Sequence, residues 1–144
     1  MIKTCKTTME HLDLIELDGE ELHDFKSTMI ANLLDGTKDI LSLFAPSGRV
    51  IAIAGINHLR LGVCEAWIIR GKGIDDHKFD FFKTIKGLIE FVFEYMDIHR
   101  FEIAILNSWE KGHKWAQTLG LEFEHICKSY DSLKRDHAIY TRII

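Results

Sequence analysis

Proline occurs once in these 144 residues, at Pro46, which leaves no room for a proline-rich linker. No repeat, charge block or low-complexity tract interrupts the chain either, so one domain over residues 1–144 is expected. Cysteine is scarce. Cys5, Cys64 and Cys127 are odd in number, widely spread and free of any C-x-x-C, which argues against a disulfide framework and fits a reducing cytoplasm. Positive charge is not in excess: 18 Lys and Arg against 22 Asp and Glu give a net charge of −4, no electrostatic footprint for nucleic acid. Long apolar runs are missing too, all far short of the ~20 residues of a membrane helix. The first twenty residues carry Glu10, Asp13, Glu16 and Asp18 and lack the apolar segment of a signal peptide. Neither a membrane nor a nucleic acid is expected as partner.

Two kinds of chemistry are also poorly supported. The eight histidines show no H-x-x-x-H, no H-x-H and no neighbouring cysteine pair, so no metal site is expected. No G-x-S-x-G is present, and Cys64 sits in an apolar strand, where a thiol is normally inert.

What remains is a chain with 47% apolar residues, long enough to bury ~68–70% of the surface its unfolded form exposes. Residues 2–7 alternate as a short strand. Thr8 then caps a helix carrying Met9, Leu12 and Ile15, which Asp18-Gly19 breaks. Residues 20–34 resume helical spacing through Leu22, Phe25, Met29, Ile30 and Leu33 and stop at Asp35-Gly36. Residues 40–44 and 50–56 flank Pro46-Ser47-Gly48 as a β-hairpin, and 63–69 form a third strand. These runs show little alternation, which predicts a sheet buried at both ends. Asp76 is expected to cap a helix to Met96 with Phe79, Phe82, Ile85, Ile89, Val92, Phe93 and Met96 as its apolar stripe. Residues 100–106 read as a strand. Asn107, with Glu110 three residues on, opens a helix that Gly120 ends, and 121–130 with 137–144 form a closing hairpin. The class is α/β (α+β), in the order β-α-α-β-β-β-α-β-α-β-β.

Three strings in that order carry a resemblance: Thr7-Thr8-Met9-Glu10-His11-Leu12, Trp67-Ile68-Ile69-Arg70-Gly71-Lys72-Gly73-Ile74, and Leu119-Gly120-Leu121-Glu122-Phe123. Over essentially its whole length the chain resembles the GNAT N-acetyltransferases. Their opening strand-to-helix turn, pyrophosphate loop (Gln/Arg-x-x-Gly-x-Gly/Ala) and fourth-helix end (Leu-Gly-Phe) stand at these positions. The resemblance implies a mixed central sheet of six or seven strands with about four helices. It also implies acetyl-CoA as cosubstrate and direct acetyl transfer to a primary amine of a small molecule or protein. Coenzyme A would be held by Trp67, Ile68, Ile69, Arg70, Gly71, Lys72, Gly73 and Ile74, with Asn107 at the head of the next helix. The physics of the loop is readable by itself. Glycines let a phosphate approach backbone N–H groups, and a helix N-terminus adds positive potential; the alternative is a glycine-rich turn with two solvated cations.

Members of the family usually take their base from a Glu on the fourth or fifth strand, which implies Glu65 or Glu102. Both also read as glutamates on a solvated strand face. His58, at the end of the third strand, is a further candidate, since an ordinary imidazole titrates near ~6.5. The chain departs from the pattern twice. Asp75 and Asp76 follow the loop, and Ala116 stands where many members carry a proton-donating tyrosine. The Leu41-Ser42-Leu43-Phe44 and Ala52-Ile53-Ala54-Gly55 runs, Trp67 and Thr118-Leu119-Gly120 further resemble the small GNAT-like internal virion proteins of short-tailed phages. That branch implies the alternative, a catalytically inactive virion component or host-protein binder, located in the host cytoplasm or the virion. A homodimer is compatible with either reading.

Overall fold

In the computed structural model, residues 1–18, 25–35 and 39–144 are described. The elements are β1 (Lys3–Lys6), α1 (Met9–Leu14), α2 (Phe25–Asp35), β2 (Asp39–Phe44), β3 (Val50–Arg60), β4 (Val63–Arg70), a 3-10 turn (Ile74–His77), α3 (Lys78–Tyr95), β5 (Arg100–Leu106), α4 (Glu110–Thr118), β6 (Glu122–Cys127) and β7 (His137–Ile143). The seven strands run in the order β1-β2-β3-β4-β5-β7-β6. β4 and β5 are parallel, whereas β1–β2, β2–β3, β5–β7 and β6–β7 are antiparallel. This is the mixed α/β sheet with four helices that the sequence predicts. No helix of the described residues is long and apolar enough to cross a membrane. The chain divides into two compact units, Met1–Asn57 with Trp67–Gly87, and His58–Ala66 with Leu88–Ile144.

In the first unit, the β2–β3 hairpin turns at Pro46. The N–H of Ala45 donates to the Arg49 carbonyl at 2.9 Å, and Gly48 takes the φ of 89° that this tight turn demands. Leu12, Ile15, Met29, Ile40, Val50, Ile53 and Ile69 form the core, with Leu33, Phe44 and Trp67 packed against it. α1 is shorter than its spacing suggests. It ends at Leu14 because Ile15 turns into the core, and the chain beyond runs extended against the end of β4, with Leu17 bridging Gly71. The expected Gly19 break, the 20–24 start of the second helix and its stop at Gly36 lie outside the described residues.

The second unit is built on β7, which pairs with β5 from Arg100↔Ile143 to Leu106↔His137 and with β6 on its other side. β4 adds a parallel ladder of four pairs, Val63↔Arg100 to Ala66↔Ile103. Buried Phe101, Ile105, Ala116, Leu119, Ile139 and Tyr140 supply its interior.

Four local expectations are corrected. The two edge strands are open to water, every residue of β1 and all but Cys127 of β6 being exposed. Their lysines and glutamates suit an edge that must not recruit a further strand. Asp76 lies inside the 3-10 turn, whose cap is Gly73, and α3 begins at Lys78. That extra turn rotates the start of the helix, so Phe79 is 92% exposed while Phe81, absent from the expected stripe, is buried with Ile85, Ile89 and Val92. Asn107 sits in a turn before α4, whose cap is Trp109 without a side-chain bond, because the Trp109 N–H folds back onto Leu106.

Candidate active site

β4 ends where the sequence predicts an anion-binding loop. Trp67 and Ile69 share the face that packs on the core of the first unit, so half-buried Ile68 and Arg70 point to the other face. The Trp67 ring lies over Gly55, where a side chain would collide with it. Its indole N–H is buried without a hydrogen-bond partner among the described residues. A buried donor left open in this way carries a desolvation penalty unless something accepts from it.

The loop itself is partly closed by its own chain. The segment after α1 lies alongside it: Asp18 N–H donates to the Arg70 carbonyl at 2.9 Å and Lys72 N–H to the Glu16 carbonyl at 2.7 Å. Gly71 N–H donates to Ile51 at 2.8 Å, and a side chain at 71 would press on Ile15 and that same carbonyl. Two of the N–H groups expected to face an anion are thus occupied. The next three are not. Gly73, Ile74 and Asp75 open the 3-10 turn, and their N–H groups have no backbone acceptor among the described residues. Gly73 has a φ of 106°, which makes any other residue there strained.

A cation that sequence reasoning missed completes the corner. The Arg49 guanidinium lies 3.4 Å from the point where a Gly73 side chain would begin, and it is paired with Glu16 at 3.3 Å. The turn at Pro46 delivers Arg49 from the far end of the hairpin, so no local motif announces it. Asp75 and Asp76 stand in the first turn of this 3-10 segment, where carboxylates suit a helix N-terminus.

Glu65 and Glu102, the two carboxylates proposed from the strands, are direct partners in the β4–β5 ladder. Their surroundings differ. The Tyr130 hydroxyl donates to Glu65 at 3.3 Å, and burial together with that carboxylate pushes the phenol up to about 12. Glu102 is tied down by Arg100 at 3.0 Å, and the same guanidinium grips Glu124 with two bonds of 2.8 and 2.7 Å. Glu102 also helps burial push the neighbouring Cys64 thiol up to about 11, in keeping with an inert thiol. Tyr130 was not found from the sequence because it belongs to the β6–β7 turn. There its ring stacks on His137 at 4.9 Å while Asp131 holds the turn through His137, Arg135 and two backbone N–H groups.

His58 is exposed near the end of β3. Asn107 is exposed, and its backbone is engaged by Asp136 and by the His113 ring. Ala116 is fully buried on α4, so a tyrosine cannot enter that position without displacing its neighbours. A phenol that does reach α4 is Tyr140, which lies against His113. Its hydroxyl and His113 Nδ1 are hydrogen-bonded at 2.8 Å, while His113 Nε2–H donates to the Asn107 carbonyl at 2.8 Å. No group of three potential metal ligands occurs among the described residues.

No family model and no curated protein matches the sequence. Solved structures match it in fold along almost the whole chain. A GNAT-family acetyltransferase from Bacillus anthracis superposes with a TM-score of 0.77 at 9% identity, covering 99% of this chain and 94% of that one. A variant of spermidine N-acetyltransferase from Vibrio cholerae gives 0.74 at 9% identity, covering 99% and 93%. Ribosomal-protein-S5-alanine acetyltransferase from Vibrio fischeri gives 0.66 at 14% identity, covering 99% and 92%. At these identities the likeness is one of fold: the chain has the fold of the GNAT acetyltransferases.

Proposed function

We propose that this chain belongs to the GNAT superfamily and is an acetyl-CoA-dependent N-acetyltransferase acting on a primary amine of a small molecule or protein. The observation that carries the reading is the end of β4. Three consecutive N–H groups, at Gly73, Ile74 and Asp75, lie open at the head of a turn that runs into α3, with Arg49 beside them. Such an array favours a phosphate. It fits the pyrophosphate of coenzyme A, with Lys72 adding charge and the backbone of Trp67–Ile69 left to meet the pantetheine arm. Coenzyme A, when bound, supplies the acyl thioester.

The chain's own residues then have two tasks. A backbone N–H at Ile68 or Ile69 holds the thioester oxygen, and Glu65 removes the proton of the amine, directly or through water. Glu65 is taken as the base because the Tyr130 hydroxyl donates to its carboxylate and so orients it. Glu102 is instead held by the Arg100 guanidinium, which also grips Glu124. Acids at Glu16 and Asp18 beside the loop suit a cationic acceptor. Because Ala116 offers no proton, the departing thiolate depends on water or on another residue, and turnover with generic amines is expected to be slow.

A second reading has one observation in its favour. The Glu16 carbonyl occupies the Lys72 N–H, and four acidic residues (Glu16, Asp18, Asp75, Asp76) belong to the loop and the segment bonded to it, as suits a GNAT-fold protein without coenzyme, such as a virion component or host-protein binder. Thiol release from acetyl-CoA, measured across a panel of diamines, amino-acid amides and lysine peptides, separates the two. Turnover that falls about 10²–10⁴-fold in Glu65→Gln is the expected outcome. If turnover is measurable and Glu65→Gln keeps the parental kcat/KM from acid to alkaline pH, Glu65 is not the base; thiol release with no amine favours the second reading.

A further inference from the structure

On the outer strand of the second unit, β6, the pairing with β7 slips by one residue: Phe123 faces Tyr140 and His125 faces Ile139, leaving Glu124 as the extra residue of a bulge. The bulge brings two adjacent side chains to one side of the strand. His125 Nδ1 lies 3.3 Å from Glu124 Oε1, and Cys127, two residues on and therefore on the same face, has its Sγ 3.4 Å from His125 Nε2. Glu124 cannot drift, because Arg100 grips both its oxygens and Thr141 donates to Oε2 at 3.3 Å. Those same contacts, the Arg100 bond first, hold the Glu124 carboxyl below its ordinary range, so it is an anion at neutral pH. With a carboxylate beside Nδ1, the tautomer that carries its proton on Nδ1 leaves the Nε2 lone pair for the thiol. The order is thiol, imidazole, carboxylate.

The other two cysteines lack this arrangement. Cys64 is fully buried, and Cys5 is exposed on β1. Cys127 is half-buried, and the His125 side chain is 51% exposed, so a small reagent can reach the pair from solvent. From this geometry we infer that Cys127, with His125 and Glu124, is a nucleophilic thiol that exchanges with small-molecule disulfides. The Cys127 S–H proton passes to His125 Nε2, and the sulfur attacks one sulfur of the disulfide. A new S–S bond forms as the old one breaks, and the departing thiolate takes the proton back from the ring. Cys127 is oxidised to the mixed disulfide and half of the reagent is reduced to a thiol, so atoms and electrons balance. The inference does not rest on the acetyltransferase reading.

The three thiols of the intact chain provide the test. The protein is treated with glutathione disulfide at neutral pH, and adducts are quantified by peptide mass mapping over time. Cys127 is expected to react about tenfold or more faster than Cys5, with Cys64 silent. His125→Gln is expected to bring Cys127 down to about the Cys5 rate, as loss of the proton acceptor requires. Continued silence of Cys64 in the variant reports that the fold is intact. A Cys127 no faster than Cys5, or a Cys127 rate unchanged by His125→Gln, overturns the inference.

Discussion

Two hydrogen bonds decide how the loop after β4 can be used. In the sequence, Gly71, Lys72 and Gly73 look equivalent as donors to an anion. Carbonyls from residues 20 and 56 positions away, Ile51 and Glu16, take the first two, and only Gly73 keeps its N–H with those of Ile74 and Asp75. Spacing along the chain carries no record of such partners, which is also why Arg49 escaped notice. Asp131 shows the same effect in a group whose titration can be followed. The His137 ring, the backbone N–H of Arg135 and the Arg135 side chain hold its carboxyl far below the ordinary range. Its folded-state value lies below the ~3.9 of an unfolded aspartate, so its contribution to stability is complete above that pH and is lost as the pH falls below it. Thermal melting should therefore be steady from neutral pH down to about 4 and then decline. Asp131→Asn should melt lower at neutral pH and decline less steeply in acid. A variant whose melting temperature runs parallel to the parent's down to pH ~2 would show that Asp131 is not part of the acid response.

At the scale of elements, periodicity located nearly everything and phased one helix wrongly. The seven strands and four helices of the described residues are all visible in the sequence, the central strands as apolar runs with little alternation because they are buried, and the helices by their apolar spacing. α3 is the instructive exception. Its sequence offers phenylalanines at 79, 81, 82, 91 and 93, so several stripes of helical spacing compete. The 3-10 turn at Ile74–His77 selects the one through Phe81. Mutation reads that phase directly. Phe81→Ala should cost about 3–5 kcal/mol, whereas Phe79→Ser should stay within about 0.5 kcal/mol of the parent. Denaturant midpoints for the two variants give the answer, and equal losses would contradict the phase of the helix described here. The candidate site was less legible than the fold for the same physical reason. The three strings mark where β4 and its loop lie, and strand position marks Glu65 and Glu102. Tyr130 reaches Glu65 from a turn 65 residues later, a distance that no local pattern encodes.

For the molecule as a whole, the account rests on coenzyme A engaging the end of β4. Fold likeness to acetyltransferases at 9 to 14% identity leaves that question to the residues of this chain. They give opposing signals: open N–H groups and Arg49 on one side, four carboxylates on the other. Calorimetric titration of acetyl-CoA into the parent and into Arg49→Ala tests the balance most directly, with melting scans as a check, since a ligand that binds only the native chain raises its stability. The predicted result is one equivalent bound by the parent and affinity about tenfold or more weaker in Arg49→Ala, the loss expected for one charge-assisted contact to phosphate. Absence of both heat and melting shift at millimolar acetyl-CoA would contradict the account, and equal affinity in parent and variant would contradict the placement of the anion beside Gly73.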